Sequence, residues 1–63
     1  MFKIKEGVDL TDICRNFSED NTKYYLSTPM DEWIEIDKNT RLIWQSGYNG
    51  LIYDWAKRGL IED

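Results

Sequence analysis

The chain has 63 residues, of which 41% are hydrophobic, 14% aromatic and 32% charged; this fits one small globular domain and excludes disordered, collagenous and membrane-spanning classes. Twelve acidic against eight basic side chains give a formal charge of −4, the wrong sign for binding nucleic acid by phosphate neutralisation. With no histidine and one cysteine, a catalytic triad, a zinc centre and an internal disulfide all lack their usual residues.

A domain of this size hides only about 60% of the surface that its unfolded chain exposes, so the Trp, Tyr and Phe side chains have to supply much of the core. Residues 1–6 lack the apolar stretch of a signal peptide, and no apolar run reaches the length of a membrane helix. A cytoplasmic location is the expectation, and a free Cys14 suits that reducing compartment.

Residues 2–5 alternate apolar and basic, which predicts a short edge strand with Phe2 and Ile4 turned inward. After Gly7, Asp9 reads as an N-cap, with Asp12 at the capping-box position and Val8 and Ile13 placed as a hydrophobic staple. Leu10, Ile13, Cys14 and Phe17 then recur at helical spacing, predicting a helix that runs to about Phe17 and stops at the turn formers 18–21. Residues 22–28 favour a strand with Tyr24 and Leu26 on one side and Tyr25 on the other, ended by Pro29.

Residues 33–37 and 41–45 are predicted to pair as a hairpin across residues 38–40. Side-chain parity favours Ile36 opposite Leu42 and Ile34 opposite Trp44, which gathers four large apolar groups on the inner face and sets Asp37 against Arg41 outside. The loop 46–50 offers Ser46 or Asn49 as cap for a last helix over 51–58, with Leu51, Ile52, Trp55 and Ala56 along its buried stripe. Asp54 reaches Lys57 and Arg58 one turn on, Gly59 supplies a left-handed C-cap, and Leu60 or Ile61 folds back onto the core.

These elements predict an α+β fold: a three-stranded antiparallel meander over residues 22–45, residues 2–5 as a further N-terminal edge strand, and two helices packed on one face. The other face is left open.

The segments Phe2-Lys3-Ile4-Lys5-Glu6-Gly7-Val8-Asp9-Leu10 and Leu51-Ile52-Tyr53-Asp54, followed by Lys57 and Gly59-Leu60-Ile61-Glu62, resemble the ends of short uncharacterised proteins encoded by phages and prophages of low-GC Gram-positive bacteria. The similarity covers about a third of the chain; the middle is richer in Trp, and Trp55 stands where an aliphatic residue is expected. The resemblance implies a phage-encoded accessory protein that binds and inhibits a host factor, and it implies no catalytic residues.

Neighbouring acids such as Asp9 with Asp12, Glu19 with Asp20, and Asp31 with Glu32 each have an ordinary role as cap, turn former or solvated charge. Residues 37–41 fail as a calcium loop because Arg41 brings a cation to the fifth position, and residues 47–50 lack the Gly-Lys-Ser/Thr ending of a phosphate loop. No metal or cofactor is expected, and Cys14 on its apolar stripe reads as a small buried hydrophobe. The chain is therefore read as a non-enzyme.

The outer hairpin face carries the functional expectation. Residues 31–37 hold four acids and no base, and Glu35 and Asp37 on one strand face stand about 6.7 Å apart. Trp33, Glu35, Asp37 and Ile43, with Tyr25 beside them, are the expected partner-binding residues, an aromatic anchor amid carboxylates facing a host protein with a basic surface. The alternatives are nucleic-acid binding through Lys3, Lys5 and Arg15 with stacking on Tyr24 or Tyr25, and self-association into a homodimer through the open face or a strand edge.

Overall fold

The computed structural model of the chain describes residues 2–47 and 49–63; the expectations that touch Met1 and Tyr48 lie outside the described residues. In chain order the elements are β1 (Lys3–Ile4), α1 (Leu10–Ile13), β2 (Ser18–Glu19), β3 (Lys23–Ser27), β4 (Trp33–Asp37), β5 (Ile43–Gln45), α2 (Gly50–Lys57) and β6 (Ile61–Glu62). A four-stranded antiparallel sheet has the order β2-β3-β4-β5, and β1 and β6 form a two-stranded antiparallel pair. The expected α+β meander is present as β3-β4-β5, and β2 is an additional strand where turn residues were expected.

The N-terminal strand does more than extend an edge. Beyond its pairing with β6, it is stitched to the start of β5, because the Ile4 amide donates to the Arg41 carbonyl and the Ile43 amide to the Phe2 carbonyl, both at 2.9 Å. Ile4 is fully buried in the core and Phe2 packs against it, as their alternation predicts.

Helix α1 is shorter than its apolar spacing suggests. Asp9 caps it as expected, its Oδ1 accepting from the Thr11 amide and hydroxyl at 2.9 and 2.7 Å, but the helix ends at Ile13 and Asn16 turns left-handed at φ 57°. A helix this short has little stability of its own, so tertiary contacts decide its length. Leu10 and Cys14 enter the core, whereas Phe17 is drawn off the helix to meet Tyr24 edge-on at 4.9 Å, and this leads the chain into β2. Asp20 closes the β2–β3 turn, its Oδ1 accepting from the Thr22 and Lys23 amides. Across this end Lys38 pairs with Glu19 and lies 4.6 Å over the Tyr24 ring, and the Glu19 carboxylate raises the ammonium pKa.

The β3–β4 loop, residues 29–31, follows turn chemistry: Pro29 opens it, Asp31 takes the left-handed position at φ 63°, and the Thr28 amide donates to the Glu32 carbonyl. The β4–β5 loop overturns the register expected from parity. Ile36 pairs with Ile43, Glu35 with Trp44 and Ile34 with Gln45, one residue out of step from pairing Ile36 with Leu42. Ile43 is consequently buried at 2% exposure, and Leu42 and Trp44, expected inside, face solvent.

The physical cause lies in Arg41. It joins the loop 38–41 in the left-handed conformation, φ 67°, instead of starting the strand opposite Asp37. That conformation is unfavourable for a residue with a Cβ. Two sets of bonds offset it: Asp37 Oδ1 accepts from the Asn39 and Thr40 amides at 2.8 and 2.7 Å, and the Arg41 guanidinium donates to the carbonyls of Ile4, Lys5 and Val8. Arg41 thus holds the N-terminal strand and its following turn to the hairpin, and the expected outer pair with Asp37 does not form.

Of the two expected caps, Ser46 and Asn49, helix α2 uses Asn49, whose Oδ1 accepts from the Leu51 amide at 2.9 Å. Ile52 and Trp55 are its buried residues and Leu51 is half-buried, whereas Ala56, expected on the same stripe, is exposed. Gly59 at φ 72° ends the helix, Arg58 pairs with Asp54 at 3.6 Å, and Ile61 returns to the core. Residues from both helices join Tyr24, Leu26, Ile34, Ile36 and Ile43 in one cluster on the inner face of the sheet, so the opposite face stays open.

Candidate functional site

Strands alternate their side chains, and burying the inner set of β3, β4 and β5 turns Tyr25, Trp33, Glu35, Asp37 and Trp44 to the other side. Cross-strand pairing sets Tyr25, Glu35 and Trp44 in one row across three strands, and Lys23 opposite Asp37 in the adjacent row. Trp33 and Trp44 lie diagonally and pack ring to ring, with centroids 5.3 Å apart and planes inclined by 34°. They remain 43% and 45% exposed, so neither indole is covered by helix or loop.

A groove of about 370 Å³ runs beside this pair, lined by Lys23, Glu35, Asp37, Thr40, Leu42 and Trp44. The acids in it differ. Asp37 is committed to its turn, and the Thr40 and Asn39 amides with the Lys23 charge hold its pKa below the usual carboxylate value. Glu35 is half-buried in the middle of the face and has no ion pair among the described residues. Tyr25 is tethered at its far end, its hydroxyl donating to Asp20 Oδ2 at 2.8 Å, which raises the phenol pKa. The Thr22 amide, this same bond and the Lys23 amide hold the Asp20 pKa well below the ordinary carboxylate value.

Of the residues expected at the surface, Trp33, Glu35, Asp37 and Tyr25 share this face and Ile43 does not. Ile43 is corrected to a core residue, because the left-handed Arg41 shifts β5 by one position. The same shift brings Trp44 and Leu42 to the face, which parity within the hairpin had placed inside. No signal within the hairpin pointed to this: in the structure the core already holds Trp55 at 1% exposure, leaving little room for a second inward indole.

Elsewhere the chemistry is sparse. Cys14 is buried and desolvation pushes its thiol up to about 11, which disfavours the thiolate at neutral pH. Among the described residues there is no group of three or more His, Cys, Asp or Glu able to hold a metal, and no helix is long and apolar enough to cross a membrane. The cations of the nucleic-acid alternative are not gathered with Tyr25: Lys3 lies opposite Glu62 on the β1–β6 pair, and Arg15 pairs with Asp12 at 3.6 Å. A second groove, between the helices, is rimmed by Arg15 and Arg58, each already facing an acid of its own helix region.

Comparison with protein-family models, with curated proteins and with solved structures finds no match to this chain.

Proposed function

We propose that the chain is a non-enzymatic binding module, an accessory protein of a phage or prophage that docks onto a basic surface of a host protein through the open sheet face and inhibits that protein. The observation that supports this best is the packed, half-exposed Trp33–Trp44 pair beside Glu35 on the solvent side of the sheet. A domain this small is short of buried aromatic surface, yet it leaves two of its three Trp residues accessible together. Trp is among the residues enriched at interface hot spots, and nearby carboxylates accelerate encounter with a cationic surface and select for it. Trp33, Trp44 and Leu42 supply the contact area in this reading, Glu35 the charge, and Asp37 and Tyr25 the fixed frame around them.

The experiment is capture of the partner from a bacterial host extract, its identification, and titration of the purified pair by calorimetry. The double variant W33A/W44A is expected to abolish binding while keeping the melting transition cooperative, and binding to the parent chain is expected to weaken as salt is raised. Undiminished binding by the folded double variant would sink the proposal. Sedimentation of the isolated chain separates it from self-association, since a dimer that W33A/W44A dissociates means that the face is used by a second copy.

A further inference from the structure

We propose that the open face seats an arginine side chain of its partner, with the guanidinium stacked on the groove side of the Trp44 indole and gripped at its edge by the Glu35 carboxylate. This rests on the reading of that face as a docking surface and adds the chemistry of the group that anchors there.

The charges of the face define the gap. Lys23 stands opposite Asp37, and its charge adds to the two loop amides that already engage Asp37 Oδ1. Glu35 has no such cation among the described residues, although it is half-buried at the centre of the face and borders the groove. A half-buried carboxylate without a cation gains from one supplied in trans.

The walls select the kind of cation. Glu35 and Trp44 are directly opposed on neighbouring strands, which brings their Cβ atoms to about 5 Å. Trp33 packs on the indole but is not part of the groove, whereas Trp44 is, so the ring offers its other side to an incoming group. A planar, weakly hydrated guanidinium stacks on an indole and still presents two N–H groups in its own plane to a carboxylate alongside; a compact ammonium keeps its water and makes only a point contact. Leu42 and Thr40 complete a wall suited to the methylene stem of an arginine. The packing of Trp33 on Trp44 leaves no slot between the rings, so the face is not a cage for a quaternary ammonium.

The test is a two-dimensional NMR titration of the ¹⁵N-labelled chain with acetyl-arginine amide, acetyl-lysine amide and the neutral isostere acetyl-citrulline amide. The arginine amide is expected to shift the Trp44 indole and Glu35 amide signals saturably, leave the buried Trp55 indole unmoved, and bind more tightly than the other two. E35Q is expected to weaken it about tenfold, the scale of losing a charge-assisted pair, and E6Q, an exposed acid of the β1–α1 turn, to leave it unchanged. Equal shifts by lysine and arginine, an unaltered response in E35Q, or no response at Trp44 would each overturn the arginine seat. The docking reading is judged separately, by W33A/W44A against the captured partner; it survives if that variant loses the partner while the arginine amide leaves Trp44 unmoved.

Discussion

The two faces of strands β3 and β4 are built from the same ten residues and do opposite things. Inward, Tyr24, Leu26, Ile34 and Ile36 lie in the core with residues of both helices; outward, Tyr25, Trp33, Glu35 and Asp37 leave two rings, and a Glu35 carboxylate with no ion pair among the described residues, within reach of solvent. The inner face is apolar throughout, and its contribution is dispersion and the removal of surface from water. The outer face mixes large aromatic area with charge, a combination that contributes little to folding and much to recognition. Such a division can be broken by substitution.

The largest expected effect is on the inner face. I36A removes most of a fully buried side chain at the centre of the sheet and is expected to cost about 2–5 kcal/mol, enough to unfold much of a domain this small at ambient temperature, as read by urea titration followed through Trp fluorescence. R41A comes next. It deletes the guanidinium that joins the carbonyls of Ile4, Lys5 and Val8 while leaving a left-handed residue in the loop, and a loss of about 1.5–3 kcal/mol is expected. R41G relieves the backbone and still loses the clamp, so it should fall between R41A and the parent; a variant as stable as the parent would assign the register to backbone conformation alone.

The loop acids should give a smaller, pH-dependent effect. Asp9, through the Thr11 hydroxyl and amide, and Asp20 and Asp37, chiefly through turn amides, accept hydrogen bonds that depress their pKa values in the folded chain below the ordinary 3.8. Their stabilisation is therefore complete above that value and is lost as the pH falls below it toward the folded pKa values. An acid titration of the melting temperature should show this fall, and D20N should flatten it. Tyr25 carries the opposite sign: its pKa is raised above 10.0, so the stability from its bond to Asp20 is full below that pH and disappears in more alkaline solution, a loss that Y25F removes.

The smallest effect on stability is expected on the outer face. W44A forfeits the contact with Trp33 and is expected to cost about 0.5–1.5 kcal/mol, leaving the thermal transition cooperative. A W44A variant as unstable as I36A would erase the distinction between the faces.

Much of this was legible in the residues. The Asp9 and Asn49 caps, the Pro29 stop, the left-handed Gly59, the limits of β4 and the alternation along β3 are set by neighbours within a few positions, where local steric and hydrogen-bonding preferences are strong. The candidate face was legible only on β3 and β4. On β5 the hairpin taken alone favours Leu42 and Trp44 inside, since that buries more apolar volume, and the structure places Ile43 there instead. Helix α1 and strand β2 were misjudged for a related reason: Phe17 fits the helical spacing, yet its ring packs on Tyr24, which the spacing does not contain.

By itself, then, the sequence determined where the two helices are capped, the limits of β4, which face of β3 and β4 is apolar, and the net negative charge that any partner must meet. Tertiary structure alone decided which side β5 presents. Arg41 finds its acceptors on residues 4, 5 and 8, at the far end of the chain, and Trp55 has already filled the interior. A one-residue slip inverts every side chain on a strand, so two contacts that no local window contains are enough to exchange Ile43 for Trp44 on the surface.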